Sequence, residues 1–282
     1  MTTNLLARTL RSAGQPLLLS AALALWAALG ADAKAMPVSI IAVLATLLVL
    51  EQRNPRRRDW RKSGAEKAAL IGAWILLGAL LGLVTLTHER WLATLVPPGA
   101  HLALWPQALP WPIQALLLFL TADGMYYWVH RAIHRWPWLW RISGHGVHHA
   151  FHDLHAVHAG VTHPFELLLL ALPLASLGTL FAAPPEAVAA ATLMLSANAQ
   201  IVHANVELGC PGLRWLITTG ADHRLHHSML REQSDRNFAC NAILWDRIFG
   251  THAEGEVAQT GTGPRQPGML ALLALPFRKP GR

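Results

Sequence analysis

Hydrophobic positions along the chain gather into long blocks separated by short polar stretches. Residues 17–33, 36–50, 68–87 and 112–130 are four such blocks, and a further pair lies between 164 and 206. A bilayer-spanning helix needs about 20 apolar residues, with a range of about 17–25. The 36–50 block is short by that measure, and so is each arm of the last pair. "LFAAPPEAV" (180–188) divides that pair, because Pro184 and Pro185 cannot continue a helix. The pattern predicts an all-α integral membrane protein with about four spanning helices plus a helical hairpin, whose arms either span or re-enter.

Composition agrees with a membrane class. The 282 residues are 53% hydrophobic and only 14% charged, where a soluble domain carries about 25% charge. The net charge of +7 does not imply nucleic acid. No basic stripe interleaved with aromatics occurs outside the membrane flanks, and Arg and Lys are what membrane proteins keep on the cytoplasmic side. Cys210 and Cys240 stand too far apart for a CxxC pair, which argues against a disulfide framework, a zinc ribbon or an iron–sulfur site.

Charge also orients the spans. "EQRNPRRRDWRKSGAEK" (51–67) holds seven Arg or Lys, so this loop is expected in the cytoplasm. Alternating from there, only Lys34 and Arg90 of the 23 basic residues fall outside. The same alternation puts every histidine except His88 and His101 on the cytoplasmic side. The expected location is the inner (plasma) membrane of a bacterium, with a cytoplasmic histidine-rich helical cap. One competing reading concerns the start: Arg8 and Arg11, an apolar run and "ADAKA" (31–35) resemble a cleavable signal peptide.

The candidate chemistry lies in the histidines. From His145 to His163, seven of nineteen residues are histidine. Residues three and four apart share a helix face. "HRAIH" pairs His130 with His134; "HGVHH" groups His145, His148 and His149; "HRLHH" groups His223, His226 and His227; His203 stands alone at the end of the hairpin. Three clustered imidazoles repel when charged and waste polar groups when buried, unless a divalent metal bridges them. A lone interfacial histidine carries no such argument, so His88, His101 and His252 are bystanders. Catalytic and structural zinc sites use about three or four protein ligands. Eight or nine ligands therefore suit two ions, and imidazole accepts Zn, Cu, Fe or Ni. His152 falls on the face of His145 and His149, either as an extra ligand or as a residue that supports one; His155 and His158 drift off it, with water, substrate or protons as candidate cargo. Tyr126, Tyr127 and Trp128 either support the site or belong to an interfacial aromatic belt.

"DGMYYWVHRAIH" (123–134), "HGVHH" (145–149), "HPFE" (163–166), "HANVE" (203–207) and "DHRLHHSMLREQSDRNFACNAILWDRIFGT" (222–251) together resemble the fatty acid hydroxylase/sterol desaturase superfamily. The resemblance covers roughly 112–251. It implies a membrane-embedded, non-haem di-iron oxygenase that hydroxylates or desaturates a lipid. It implies metal ligation by His130, His134, His145, His148, His149, His203, His223, His226 and His227. Asp123 and Asp246 match recurrent acidic positions near the site, and with Tyr127 they complete the candidate catalytic set. Two irons are the implied cofactor, with zinc able to replace them in isolated protein.

The chain divides accordingly into an N-terminal transmembrane region with a basic loop (1–111), a hydroxylase-like catalytic region (112–254) and a Gly/Pro-rich tail (255–282). Within the tail, "MLALLAL" (269–275) is too short to span and is expected on the membrane surface. The sequence has no Gly-rich dinucleotide fingerprint, haem CxxCH or cysteine cluster. Electrons are therefore expected from a separate reductase or carrier. The expected partners are a lipid substrate and the membrane, with no nucleic acid. Two other classes compete: a histidine-rich metal transporter and a membrane zinc hydrolase, the latter disfavoured by the lack of HExxH.

Overall fold

A computed structural model describes residues 2–96 and 105–277, so His101 lies outside the described residues. Six long helices carry the apolar blocks: α1 (Thr2–Ala28), α2 (Ala35–Arg53), α3 (Gly64–Leu95), α4 (Trp111–Arg135), then α7 (Pro164–Leu180) and α8 (Pro185–His203). Between and after them come six short helices: α5 (Pro137–Ser143), α6 (Gly146–His149), α9 (Gly220–His226), α10 (Arg231–Ser234), α11 (Leu244–Ile248) and α12 (Met269–Leu273). The described residues form no strand; Pro55 with Val206 and Ser228 with Thr260 make isolated bridges. Among the described residues the chain is all-helical, and α2 and α3 are the two helices both long and apolar enough to cross a membrane. At 1.5 Å per residue α3 is about 48 Å long, and most of its surface is uncovered.

Local sequence sets these boundaries. Ser63 and Glu66 form a capping box that starts α3, and Thr219 and Asp222 form another that starts α9. Each box satisfies helix-start N–H groups that have no partner within the helix. Pro164 and Pro185 open α7 and α8 at a first-turn position, where the missing N–H costs nothing. Pro184 and Pro185 thus separate the end of α7 from the start of α8. The central helix is α8, which packs against α1, α2 and α4, while α3 lies along α7. Ala187, Ala190, Ala191 and Ala197 of α8 are fully buried. Small side chains allow this close helix approach.

The first helix reaches further than its apolar block. Its start packs against the loop after α8, where Gly209 N–H donates to the Leu10 carbonyl at 2.8 Å and Gln15 N–H donates to the Gly209 carbonyl at 3.2 Å. Pro16, next in the helix, has no N–H to offer, so the ladder is already open there. A Cβ on Gly209 would overlap the Arg11 carbonyl, so only glycine fits. Gln15 also reaches inward, donating to Asn198 Oδ1 at 2.7 Å and the Thr218 carbonyl at 2.8 Å.

The Gly/Pro-rich tail is not a detached surface segment. Gly261 N–H donates to the His227 carbonyl at 3.2 Å. Leu272 of α12 is buried with Val147 and Ala150 of the histidine region. Within 269–275 Leu272 faces protein, while Leu270 stays exposed.

Candidate metal centre

Adjacent histidines in each HxxHH box diverge. On a helix, residues i and i+4 lie about 40° apart and residues i+3 and i+4 about 100° apart. The helix α6 is a single turn. His145 and His149 point one way from it and His148 another. In α9, His223 and His227 point one way and His226 another. The result is two groups: His130, His134, His145, His149 and His226 in one, and His148, His203, His223 and His227 in the other. Within each group the ligand nitrogens all lie within 4.8 Å of one another. The expectation that each box presents three histidines on one face to one ion is thus corrected: each box divides between the groups, two to one and one to the other.

Ring tautomers identify what the groups accommodate. A neutral imidazole that donates from one nitrogen keeps a lone pair on the other. Nδ1 of His130 donates to the Phe238 carbonyl at 2.7 Å, that of His145 to the Glu166 carboxylate at 2.7 Å, and that of His226 to the Arg236 carbonyl at 2.8 Å. Their Nε2 lone pairs then face one another, His130 standing 2.9 Å from His145 and 3.1 Å from His226. In the second group, Nδ1 of His203 donates to Ala199 at 2.7 Å and Nδ1 of His148 to Val161 at 3.3 Å, leaving their Nε2 atoms 3.2 Å apart. Two lone pairs cannot bond to each other. A shared cation removes the conflict, since nitrogens each about 2.1 Å from one ion stand about 3.0–3.4 Å apart. Nε2 of His134 and of His149 are also buried without partners. The residues therefore fit metal ions.

Electrostatics keeps the donors neutral. Burial, only partly offset by the Glu166 charge, pushes His148 down to about 4. Burial pushes His226 down to about 3. His149, His223 and His227 are held well below the ordinary histidine value by burial and by their neighbouring imidazoles. Neutral imidazole is the ligand form.

Outside the groups, the candidate acids support a loop. Asp123 accepts from the Asn241 N–H and Nδ2 at 3.0 Å each and from Ala242 N–H at 2.8 Å. Asp246 accepts from the N–H groups of Phe238 and Ala239 at 2.8 Å each and from Thr251 Oγ1 at 2.6 Å. Both carboxylates hold 238–242, the segment whose Phe238 carbonyl receives His130. Tyr127 is fully buried, its hydroxyl 2.9 Å from Thr251 Oγ1 and accepting from Arg131 at 3.1 Å. Tyr126 is buried as well, donating to Glu166 at 3.0 Å. Trp128 is half exposed, so of the three aromatics only Trp128 suits an interfacial belt.

The remaining histidines go elsewhere. His152 donates from Nε2 to the Gly263 carbonyl at 2.8 Å and stands apart from both groups. His163 caps α7, its Nδ1 accepting from Phe165 N–H at 3.1 Å. Its side chain lies against Gly144, which adopts φ +72° at the end of α5, one residue before His145. Any larger residue at Gly144 would be strained and would strike His163. His252 contacts Arg247 at 3.2 Å, and His88 lies in α3.

Sequence reasoning missed two acids. Glu166, in "HPFE", is buried and orients His145. Glu51, at the end of α2, is buried too, accepting from Ala156 N–H at 2.7 Å, Asn205 N–H at 3.0 Å and His155 Nδ1 at 3.0 Å. The available signal was a lone Glu at the edge of an apolar block, where a charge needs a buried partner.

The fatty acid hydroxylase family model matches residues 115–251. Ornithine lipid hydroxylase of Rhizobium tropici is 27% identical over 261 residues, which is 87% of this chain and 76% of that protein. Alkylglycerol monooxygenase of Homo sapiens is 34% identical over 155 residues, 52% of this chain and 33% of that protein. A very-long-chain aldehyde decarbonylase of Oryza sativa is 30% identical over 183 residues, 57% of this chain and 26% of that protein. No solved structure matches the chain. All nine members of the two histidine groups lie inside the span that is similar to the fatty acid hydroxylase family.

Proposed function

We propose that this chain is a membrane-bound, non-haem di-iron oxygenase that hydroxylates or desaturates a lipid with O₂ and externally supplied electrons. The carrying observation is the opposition of imidazole lone pairs in two neighbouring groups. His130, His134, His145, His149 and His226 hold one ion, and His148, His203, His223 and His227 hold the other. Bound and reduced, the two irons supply the electrons that activate O₂ against an unreactive C–H bond, chemistry that side chains lack. The lipid hydroxylase and monooxygenase relatives support a lipid substrate.

The chain's own residues orient and enclose. Carbonyls of Phe238, Arg236, Val161 and Ala199 and the Glu166 carboxylate fix which ring nitrogen faces inward. Asp123, Asp246 and Tyr127 act as positioning residues, holding 238–242 and so His130. Hydroxylation consumes two electrons and two protons for each O₂, and a separate carrier delivers the electrons.

The proposed topology has four spans and the α7–α8 hairpin, with the cap in the cytoplasm of a bacterial inner membrane. Support comes from α4. Its exposed Trp111 and Trp128 are seventeen residues apart, about 26 Å along a helix, close to the roughly 30 Å hydrocarbon thickness. His130 and His134 then lie just past the boundary, where a tail can stay in lipid while its target carbon meets the site.

The test is comparative lipidomics of a deletion strain and its parent under ¹⁸O₂, with metal analysis of natively loaded protein. The expected results are a lipid gaining one ¹⁸O atom (or two hydrogens lighter) only in the parent, and close to two irons per chain. One ion in active protein would overturn the dinuclear reading.

A further inference from the structure

We infer that Glu166 makes the two histidine groups unequal, so that the five-histidine group takes its metal ion first and more tightly. This rests on the dinuclear reading above.

The remote nitrogens carry the argument. In the five-histidine group, His130 and His226 are backed by carbonyls, His134 Nδ1 lies 3.3 Å from Asp235, and His145 is backed at 2.7 Å by the buried Glu166. In the four-histidine group, His148 and His203 are backed by carbonyls only, and Nδ1 of both His223 and His227 is buried without a partner. A carboxylate on the remote N–H makes an imidazole a stronger donor, and loss of such a partner typically costs about 10- to 100-fold in metal affinity. An unbacked N–H gives neither that gain nor a fixed ring orientation.

Charge acts in the same direction. Neutral imidazoles bring no negative charge to a divalent ion, and burial weakens solvent screening. Glu166 is 2% exposed, whereas the Asp235 side chain is 38% exposed and more fully screened. Glu166 is also held from three sides. Oε1 accepts from His145 and Tyr126, Oε2 accepts from Thr162 Oγ1, and these donors come from α4, from the start of α6 and from the loop before α7. A carboxylate so fixed cannot swing in as a ligand without leaving buried donors unpaired. It acts through His145 as a positioning residue.

The experiment is Co²⁺ titration of metal-stripped, detergent-solubilised full-length protein, followed by visible d–d absorption and by metal analysis. Wild type is expected to take two ions in two steps. His226→Ala should remove the tighter step and His223→Ala the weaker one. Glu166→Gln should weaken the tighter step by about 10- to 100-fold and leave the weaker step in place. Tyr126→Phe, which keeps the carboxylate, should retain both steps and shows that a cavity or folding defect at this spot is not the cause. Glu166→Gln titrating like wild type, or weakening the step that His223→Ala removes, would overturn the inference while two bound ions kept the dinuclear reading. Wild type binding a single ion would overturn that reading, and the ordering with it.

Discussion

His148 and His149 are neighbours in the chain and belong to different histidine groups, their ring centroids 5.8 Å apart and nearly perpendicular at 77°. A one-turn helix driven between two sites produces this, because consecutive side chains leave it about 100° apart. Replacing His149 by Ala is expected to empty the five-histidine site, and replacing His148 by Ala the four-histidine site. Each variant should fall from two ions per chain to about one, and both should lose turnover. Loss of both ions from each variant, or of the same ion from both, measured by metal analysis and Co²⁺ spectra, would contradict the division.

Replacing Asp246 by Ala strands the N–H groups of Phe238 and Ala239 and the Thr251 hydroxyl. Each buried group left without a partner costs about 1–3 kcal/mol, so a clear drop in thermal stability in detergent is expected. Metal binding at the five-histidine site should weaken as well, because the Phe238 carbonyl that orients His130 moves with this loop. A variant as stable as wild type, yet inactive, would instead assign Asp246 a direct chemical part.

The six long helices were legible because apolar length and Pro184–Pro185 mark where each helix runs and breaks. Eight of the nine clustered histidines were legible from their spacing, whereas His203 stands alone in the sequence and entered only through the family resemblance. Their division was not, since i, i+3, i+4 spacing on a long helix means one face, whereas α6 ends after one turn and has a site on either flank. Glu51 and Glu166 escaped notice because their partners are remote: His155 lies 104 positions from Glu51, and His145 lies 21 from Glu166. The same holds for the start of α1, whose partners near residue 209 no local pattern announces.

His155 supplies a pH signature. Burial alone would lower it, but Asp153 and Glu51 outweigh burial and hold it up to about 9. Burial would raise Asp153, but His155 and Lys62 hold it down to about 2. A histidine raised from about 6.5 stabilises fully below that value and loses the contribution as pH rises through about 9. The lowered Asp153 contributes above about 4 and loses its share as pH falls through about 2. Wild type should therefore lose thermal stability between pH 6.5 and 9.5, and His155→Gln should flatten that slope. Parallel curves for the two proteins would show that His155 is neutral across this window.

Topology is open to direct reporting. Tags placed at Asp59 in the basic loop and at Ala108 before α4 should report opposite sides of the membrane, with Asp59 cytoplasmic. A periplasmic signal at Asp59 would move the histidine site to the far side with it.

The Gly209 contact has a consequence for assembly. Leu10 and Gln15 leave the ribosome long before Gly209, whose backbone groups complete their pairing and emerge only after α8. Contacts this distant in sequence form late, because loop closure must precede any gain from them. The first helix thus keeps its ladder open at Pro16 until α8 has been made. The joint at Gly209 then ties α1 to the loop after α8, the helix whose last residue is His203, so capture of the first helix follows completion of the helix that carries this histidine.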